Sequence, residues 1–306
     1  MKKIFVLGSL NMDIVISSPY MPINGETIMG TNYMTNPGGK GANQAVACGK
    51  MNNKVYFSGC IGDDSFGQEL QDNLDKYGVD TTCIRKVKNT STGTAIIIIV
   101  DHDNRIILAP NANMLVNEHD VDNLLRKANV GDIFMSQLEV PIQVVGYGLQ
   151  KAKEKGMVTI LNPAPLNTQI NDYLKYVDIL ILNETEIRLL TEMGLEKSQK
   201  KHLLCHKIYD IYHIPIIVVT LGANGHALFQ NKNYVESPCM KVEAVDTTAA
   251  GDTFCGVFAS MLASETPLEE ALRIASIAAS LAVTKVGAQI SIPNYDEVKK
   301  YFKIYK

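Results

Sequence analysis

Basic charge is not in excess in this chain. The 29 lysines and arginines are outnumbered by 32 aspartates and glutamates, for a net charge of −3 over 306 residues. With no basic stripe to follow a phosphate backbone, nucleic acid is not an expected partner. No C-x-x-C occurs either. Cys48, Cys60, Cys83, Cys205, Cys239 and Cys255 sit far apart, so they read as reduced thiols rather than a disulfide framework. The opening MKKIFVLGSLNMD carries two lysines and an apolar run, but Asn11 and Asp13 interrupt it before the length of a signal core or a membrane span. The expectation is a cytoplasmic protein with no membrane attachment. Repeats, low-complexity tracts and long linkers are missing too. Two nucleotide fingerprints are also absent. In NPGGKGANQA (Asn36 to Ala45), Gly41 rather than Ser or Thr follows Lys40, which fails the P-loop, and Gln44 stands where G-x-G-x-x-G needs its last glycine. Nor does that fingerprint follow Val6, which argues against a dinucleotide oxidoreductase.

What is present supports a full core: 46% of residues are apolar and 20% charged. KIFVLG (Lys3 to Gly8), Val55 to Ser58, Ile133 to Ser136, Val158 to Leu161, Ile179 to Leu182 and Ile216 to Thr220 are short apolar runs. Helical stretches such as Val140 to Lys155 separate most of them. This alternation predicts a doubly wound, mostly parallel α/β sheet flanked by helices. Two segments break the rhythm. Asp13 to Ser18 with Glu26 to Tyr33, and Thr92 to Val100 with Arg105 to Ala109, read as strands without intervening helices, the second pair joined at Asp101-His102-Asp103-Asn104. They predict a small lid sheet, built from about residues 13–33 and 92–109 of a single domain spanning 1–306. AIIIIV (Ala95 to Val100) is too apolar to face water on both sides, so the lid covers a cleft, a partner's sheet, or both. The plainer alternative is an edge hairpin of the main sheet.

The segment richest in chemistry is VDTTAAGDTF (Val245 to Phe254). Read as a strand end at Val242 and Val245, then small residues opening the helix GDTFCGVFASMLA, it leaves backbone N–H groups unpaired at an anion-binding helix start. Asp252 there would repel a phosphate, a cost justified if it takes a proton from an attacking hydroxyl. Alternatively it is a first-turn carboxylate favoured by the helix dipole. Asn11 and Asp13 follow the first strand, where open α/β sheets bind ligands. They suit the vicinal hydroxyls of a sugar, or an Asx turn closing the strand. Glycines with Lys40, and Asn43 opening a helix, fit a polyhydroxylated ligand. Asn183 and Glu186, three apart at a helix start, either hold a hydrated Mg²⁺ near nucleotide phosphates or form a capping box. TLGANG (Thr220 to Gly225) offers a hydroxyl and backbone groups to a nucleotide. His202, Cys205, His206 and His213 have spacing that tempts a metal assignment, yet Lys197 to Tyr212 also fits an amphipathic helix with Leu203, Leu204, Ile208 and Ile211 inward.

Across nearly the whole chain, GSLNMD, GGKGANQAVA, STGTA, QLE, LNPAP, NETE, TLGANG, VDTTAAGDTF and AVTKVGAQ, in this order, resemble the ribokinase-like carbohydrate kinase family. The resemblance implies that family's Rossmann-like fold and ATP-dependent phosphorylation of D-ribose at O-5. It further implies that Asp252 is the general base and that the amides of Ala249, Ala250 and Gly251 form an anion hole. Asn11, Asp13, Gly39, Lys40, Asn43, Glu139 and Asp252 would bind the sugar. Asn183, Glu186, Thr220, Gly222, Gly225, Gly251 and Ser276 would line the nucleotide site. A K⁺ ion would sit at Asp246, Thr248, Ala282, Lys285, Gly287 and Ser291, several of them through backbone carbonyls. ATP, Mg²⁺ and K⁺ are thus the implied cofactors, and a homodimer through the lid the implied assembly. Rival readings are a kinase for another pentose, 2-deoxyribose or a nucleoside, and, more remotely, a non-catalytic sugar- or nucleotide-binding regulator.

Overall fold

The computed structural model describes residues 1–101, 103–191 and 200–304. Its first half runs β1 (Ile4–Leu7), β2 (Asn11–Ser17), β3 (Asn32–Gly38), α1 (Lys40–Lys50), β4 (Val55–Gly62), α2 (Ser65–Lys76), β5 (Val79–Val87), β6 (Gly93–Val100), β7 (Asp103–Ala109) and α3 (Glu118–Leu125). Next come β8 (Ile133–Ser136), α4 (Ile142–Glu154), β9 (Val158–Leu161), β10 (Ile179–Asn183), α5 (Glu184–Leu190), α6 (Lys201–Tyr212) and β11 (Ile216–Thr220). The chain closes with β12 (His226–Gln230), β13 (Asn233–Ser237), α7 (Ala250–Ala263), α8 (Leu268–Ala282) and α9 (Tyr295–Ile304).

The large sheet has the order β13-β12-β11-β10-β9-β8-β1-β4-β5. Seven of its strands are parallel, and only β12 and β13 run antiparallel to their neighbours, at one edge. The continuous apolar runs follow from burial on both faces. In β1, Ile4 and Val6 belong to the core shared with α1, α7 and α8, while Phe5 and Leu7 belong to the core of the opposite face, shared with α3, α4 and α6. Open sheets of this kind bind ligands at the carboxyl ends of their strands. That edge is where β1 continues straight into β2.

β2 belongs to a second sheet of order β3-β2-β6-β7, so the extra strands form a sheet of their own rather than an edge hairpin of the main one. The strand expected over Glu26 to Tyr33 lies elsewhere: pairing sets Tyr33 to Gly38 opposite Ile16 to Asn11. Pro37 is tolerated because β3 is an edge strand and needs no second ladder bond there. β2 itself starts at Asn11 rather than Asp13. Of the turn expected at Asp101 to Asn104, His102 lies outside the described residues, and Asp103 already pairs with Val100.

Three further expectations need correction. Val242 and Val245 do not end a strand: β13 stops at Ser237, and Val245 and Asp246 instead donate their N–H groups to the carbonyl of Val283. The helix start expected at Lys197 lies outside the described residues; the helix begins at Lys201, after an extended Lys200. Its buried stripe is Leu204, Cys205 and Ile208, whereas Leu203 and Ile211 stand in solvent. His206 meets Phe229 edge-on at 4.8 Å. The hairpin of β12 and β13 was not anticipated. Its two-residue turn, Asn231 and Lys232, has positive φ at both positions (52° and 63°), the conformation that matches strand twist.

Candidate active site

The carboxyl ends of β1, β8, β9, β10 and β11 open on one groove between the small sheet and the start of α7. It has three joined compartments. The first, about 660 Å³, is lined by Asn11, Asp13, Gly39, Lys40, Asn43 and Glu139 below and by apolar side chains of the small sheet, such as Val15 and Ile97, above. The second, about 440 Å³, is lined by Asn183, Glu186, Thr220 and the first turn of α7. The third, about 540 Å³, is mostly apolar and takes in Gly222, Gly225, Phe254 and Ser276. Asp252, Lys40 and Ala249 line both the first and the second. Ala250 and Gly251 line both the second and the third. The structure thus brings the residues expected for sugar, phosphate and base into one continuous channel.

Asn11 and Asp13, two apart on β2, share a face of the small sheet. Asn113 clamps the approach: its Oδ1 accepts from Leu10 N at 2.9 Å, and its Nδ2 donates to Asn11 Oδ1 at 2.7 Å. The Asp13 carboxylate has no protein donor among the described residues. Burial, with Glu139 and then Asp252 nearby, pushes its pKa up to about 7. A half-buried acid left without a donor is a ready acceptor for a ligand hydroxyl. Glu139 serves the N-terminus of α1: its Oε2 accepts from Lys40 N at 3.0 Å and from Ser9 Oγ at 2.6 Å, where the N-cap Gly39 has no side chain to offer. The negative charge of Asp252 raises the pKa of the Lys40 ammonium, with burial opposing.

Gly39 is required twice. Its φ is +88°, and an added Cβ would lie 2.7 Å from Asn11 N, a backbone atom that cannot swing away. Gly39→Ala is therefore expected to cost about 1–3 kcal/mol in urea unfolding, and wild-type stability would show that the turn can shift.

Asp252 is buried, at 6% exposure, in the first turn of α7. Asn43 Nδ2 donates to its Oδ2 at 2.9 Å, and Gln44 Nε2 to its Oδ1 at 3.0 Å. Gln44 also donates to Asn162 Oδ1 at 3.1 Å and accepts from Gln137 Nε2 at 2.6 Å. Ala249 sits in the left-handed region at φ 58°, which turns the chain into the helix. Of the three amides expected as an anion hole, that of Ala250 donates to Thr247 O at 3.2 Å. Gly251 faces open space, since an added Cβ would meet nothing within 4 Å.

Asn183 and Glu186 do form a capping box, with Asn183 Oδ1 accepting from Glu186 N at 2.8 Å and Glu186 Oε2 from Asn183 N at 2.9 Å. Each keeps a second polar atom, and both line the middle compartment. Burial raises the pKa of the Glu186 carboxyl, against the hydrogen bond from Asn183.

Asp246 Oδ1 accepts from Thr248 Oγ1 at 2.6 Å and N at 2.9 Å, and its Oδ2 from Gly287 N at 2.9 Å. Burial pushes its pKa up, but these donors together outweigh burial and hold it below the usual carboxylate range. Ala282, whose carbonyl accepts from Lys285 N at 3.1 Å, precedes Val283, whose carbonyl takes the N–H groups of Val245 and Asp246. The Lys285 ammonium pairs with Glu297 at 2.9 Å, leaving only its main chain for a ligand. Ser291 is fully buried, its hydroxyl donating to Ala288 O.

Sequence reasoning missed Ser9, Asn113, Gln44, Asn162, Gln137 and Gln289. Five of the six lie inside motifs already singled out, Asn113 being the exception, so the local signal existed; the partners it served lay far along the chain.

Across residues 1–295 the chain matches the family model described as pfkB family carbohydrate kinase. It is 39% identical to the ribokinase of Haemophilus influenzae, with 99% of each chain covered. It is 32% identical to the deoxyribokinase of Salmonella typhi, over 98% of this chain and 99% of that one. In three dimensions it matches the ribokinase of Arabidopsis thaliana, solved in complex with ribose and ATP, at a TM-score of 0.91 and 33% identity over 99% of each chain.

Proposed function

Since the chain belongs to the pfkB family of carbohydrate kinases, we propose that it phosphorylates D-ribose at O-5, with ATP as donor, to give ribose 5-phosphate. One observation carries this reading. Asp252 stands where the compartment lined by Asn11 and Asp13 meets the one lined by the first turn of α7. A sugar held in the first compartment presents its primary hydroxyl to a carboxylate, on the far side of which a phosphoryl group meets helix N–H groups.

Asn11, Asp13, Lys40, Asn43 and Glu139 hold the sugar hydroxyls. Asp252 takes the proton of the attacking hydroxyl as it approaches the γ-phosphorus in line with the leaving oxygen of ADP. The amides of Ala249, Ala250 and Gly251 receive charge on the transferring group, the Ala250 amide turning from Thr247 O to do so. The triphosphate lies along Asn183 and Thr220, and the base fills the apolar compartment by Gly222, Gly225 and Ser276. Catalysis is positioning and electrostatics, with no covalent enzyme intermediate.

The donor atoms fit the two implied ions. Glu186 suits Mg²⁺, which takes few protein ligands, keeps its waters and neutralises phosphate charge. The carboxylate of Asp246, with Thr248 and main-chain oxygens of Ala282, Lys285, Gly287 and Ser291, would offer K⁺ oxygen donors only, and the charge of the ion would steady the anion hole. The small sheet closes as a lid. Ile14, Ile16, Tyr33, Ile96 and Ile107 alternate onto its outer face, where Tyr33 is 63% and Ile107 61% exposed, and a second copy covering that face makes the homodimer. The six free cysteines accord with a cytoplasmic location.

The Salmonella typhi relative keeps 2-deoxyribose as the second reading. A panel of ribose, 2-deoxyribose, other pentoses and nucleosides with coupled ADP detection separates them, run in KCl and in NaCl. Ribose is expected to exceed 2-deoxyribose in kcat/KM by roughly tenfold or more, because a missing hydroxyl leaves buried polar groups unpaired, and KCl to exceed NaCl. Preference for 2-deoxyribose would reassign the substrate; equal rates in the two salts would remove the K⁺ site.

A further inference from the structure

Gln289 is 3% exposed and bonded on every side. Its Nε2 donates to Asn43 Oδ1 at 3.1 Å and to Gly38 O at 3.5 Å, and its Oε1 accepts from Asn73 Nδ2. Lys50 Nζ grips the main chain on both sides of Ser291, donating to Gln289 O at 2.9 Å and Ile292 O at 2.7 Å. An amide side chain has one accepting end and one donating end. Because Gln289 supplies an N–H to Asn43 Oδ1, Asn43 has its Nδ2 left for Asp252 Oδ2, at 2.9 Å. Two residues earlier, Gly287 N donates to Asp246, whose other oxygen holds Thr248 just before the anion-hole amides. The segment from Gly287 to Gln289 therefore touches the base through one bond relay and the start of α7 through another.

We propose that Gln289 is a positioning residue for phosphoryl transfer: it sets which way the Asn43 amide points, and so holds the Asp252 carboxylate in register with the sugar and the anion hole. This rests on the reading of Asp252 as the base. A polar side chain kept only for packing would serve stability and leave turnover alone. The proposal instead ties Gln289 to kcat, since a small misplacement of a reacting group can cost up to about 10²-fold.

The test is steady-state kinetics of Gln289→Glu and Gln289→Met with ribose and ATP at pH 6 and pH 8, beside wild type and Asp252→Asn. An ionised carboxylate accepts only, so in Gln289→Glu the Asn43 amide turns its nitrogen to the new oxygen and its own oxygen towards Asp252. At pH 8 that variant should lose roughly tenfold to a hundredfold in kcat, with the KM for ATP within about twofold of wild type. Gln289→Met, of similar shape with no polar end, should lose about tenfold at both pH values, and it decides alone if the glutamate variant is insoluble. A kcat within about twofold of wild type in both variants, or a loss in kcat/KM that lies in KM with kcat unchanged, would overturn the proposal. If Asp252→Asn is inactive while the Gln289 variants turn over normally, the kinase reading stands and this inference falls. A wild-type chain that phosphorylates no sugar brings down both.

Discussion

Asp252→Asn should lower turnover by about two orders of magnitude or more, the usual worth of a general base, while the calorimetric affinity for ribose stays within a few-fold of wild type. The substitution keeps the shape of the side chain. It removes the basic oxygen and sets an NH₂ against Asn43 Nδ2 or Gln44 Nε2, both of which now donate to the carboxylate. The sugar contacts on β2 and at Glu139 are untouched, so the loss falls on kcat rather than on binding. If Asp252 were only a first-turn carboxylate favoured by the helix dipole, the change would cost a few tenths of a kcal/mol in stability and little turnover. Near wild-type turnover would remove the base from the mechanism.

Asp13→Asn is expected to act in opposite directions on binding and on stability. Hydrogen bonds to a charged acceptor contribute about 1.5–3 kcal/mol each, so losing the carboxylate should weaken ribose binding by roughly tenfold to a hundredfold. Yet the ligand-free variant should be the more stable protein. The folded chain holds Asp13 at about 7, against an ordinary 3.8, so between those two pH values the folded state binds more protons than the unfolded state. Stability therefore falls as pH rises from about 4 to 7 and stays at the lower level above. The asparagine variant escapes this, and its melting temperature should exceed wild type by a few degrees, of the order expected for about 1–2 kcal/mol, at pH 8 but hardly at pH 4. Wild-type ribose affinity should also weaken below about pH 7 as Asp13 gains its proton, and that dependence should flatten in the variant. A variant less stable than wild type at pH 8, or unchanged in affinity, would contradict the site reading.

The elements that sequence patterns revealed are those whose environment is uniform. β8, β9 and β11 begin and end where their apolar runs do, because buried parallel strands meet hydrophobic neighbours on both faces. β3 was misplaced because the Asn-Pro-Gly at its end carries a turn signature that edge pairing overrides. Among site residues, Asn11, Asp13 and Lys40 announced themselves by placing charge or amides near glycines at strand ends, and Asp252 by following small residues at a helix start. Their supports did not. Asn43 reaches Asp252 across 209 positions, and Gln289 reaches Asn43 across 246. Such contacts exist only once α1, α7 and the segment after α8 have packed together, and no local pattern encodes them. Glu139 was expected only as a sugar ligand; in the structure its carboxylate also accepts from the Lys40 N–H at the start of α1.

The central claim is that the γ-phosphoryl group of ATP is moved to the primary hydroxyl of a sugar held by β2 and α1. Phosphorus NMR of the product formed from ribose and ATP tests it directly. One new monoester signal, coupled to the two C5 protons of ribose, should grow in step with ADP. A phosphate on any other oxygen, or ADP formed together with inorganic phosphate and no sugar ester, would contradict it.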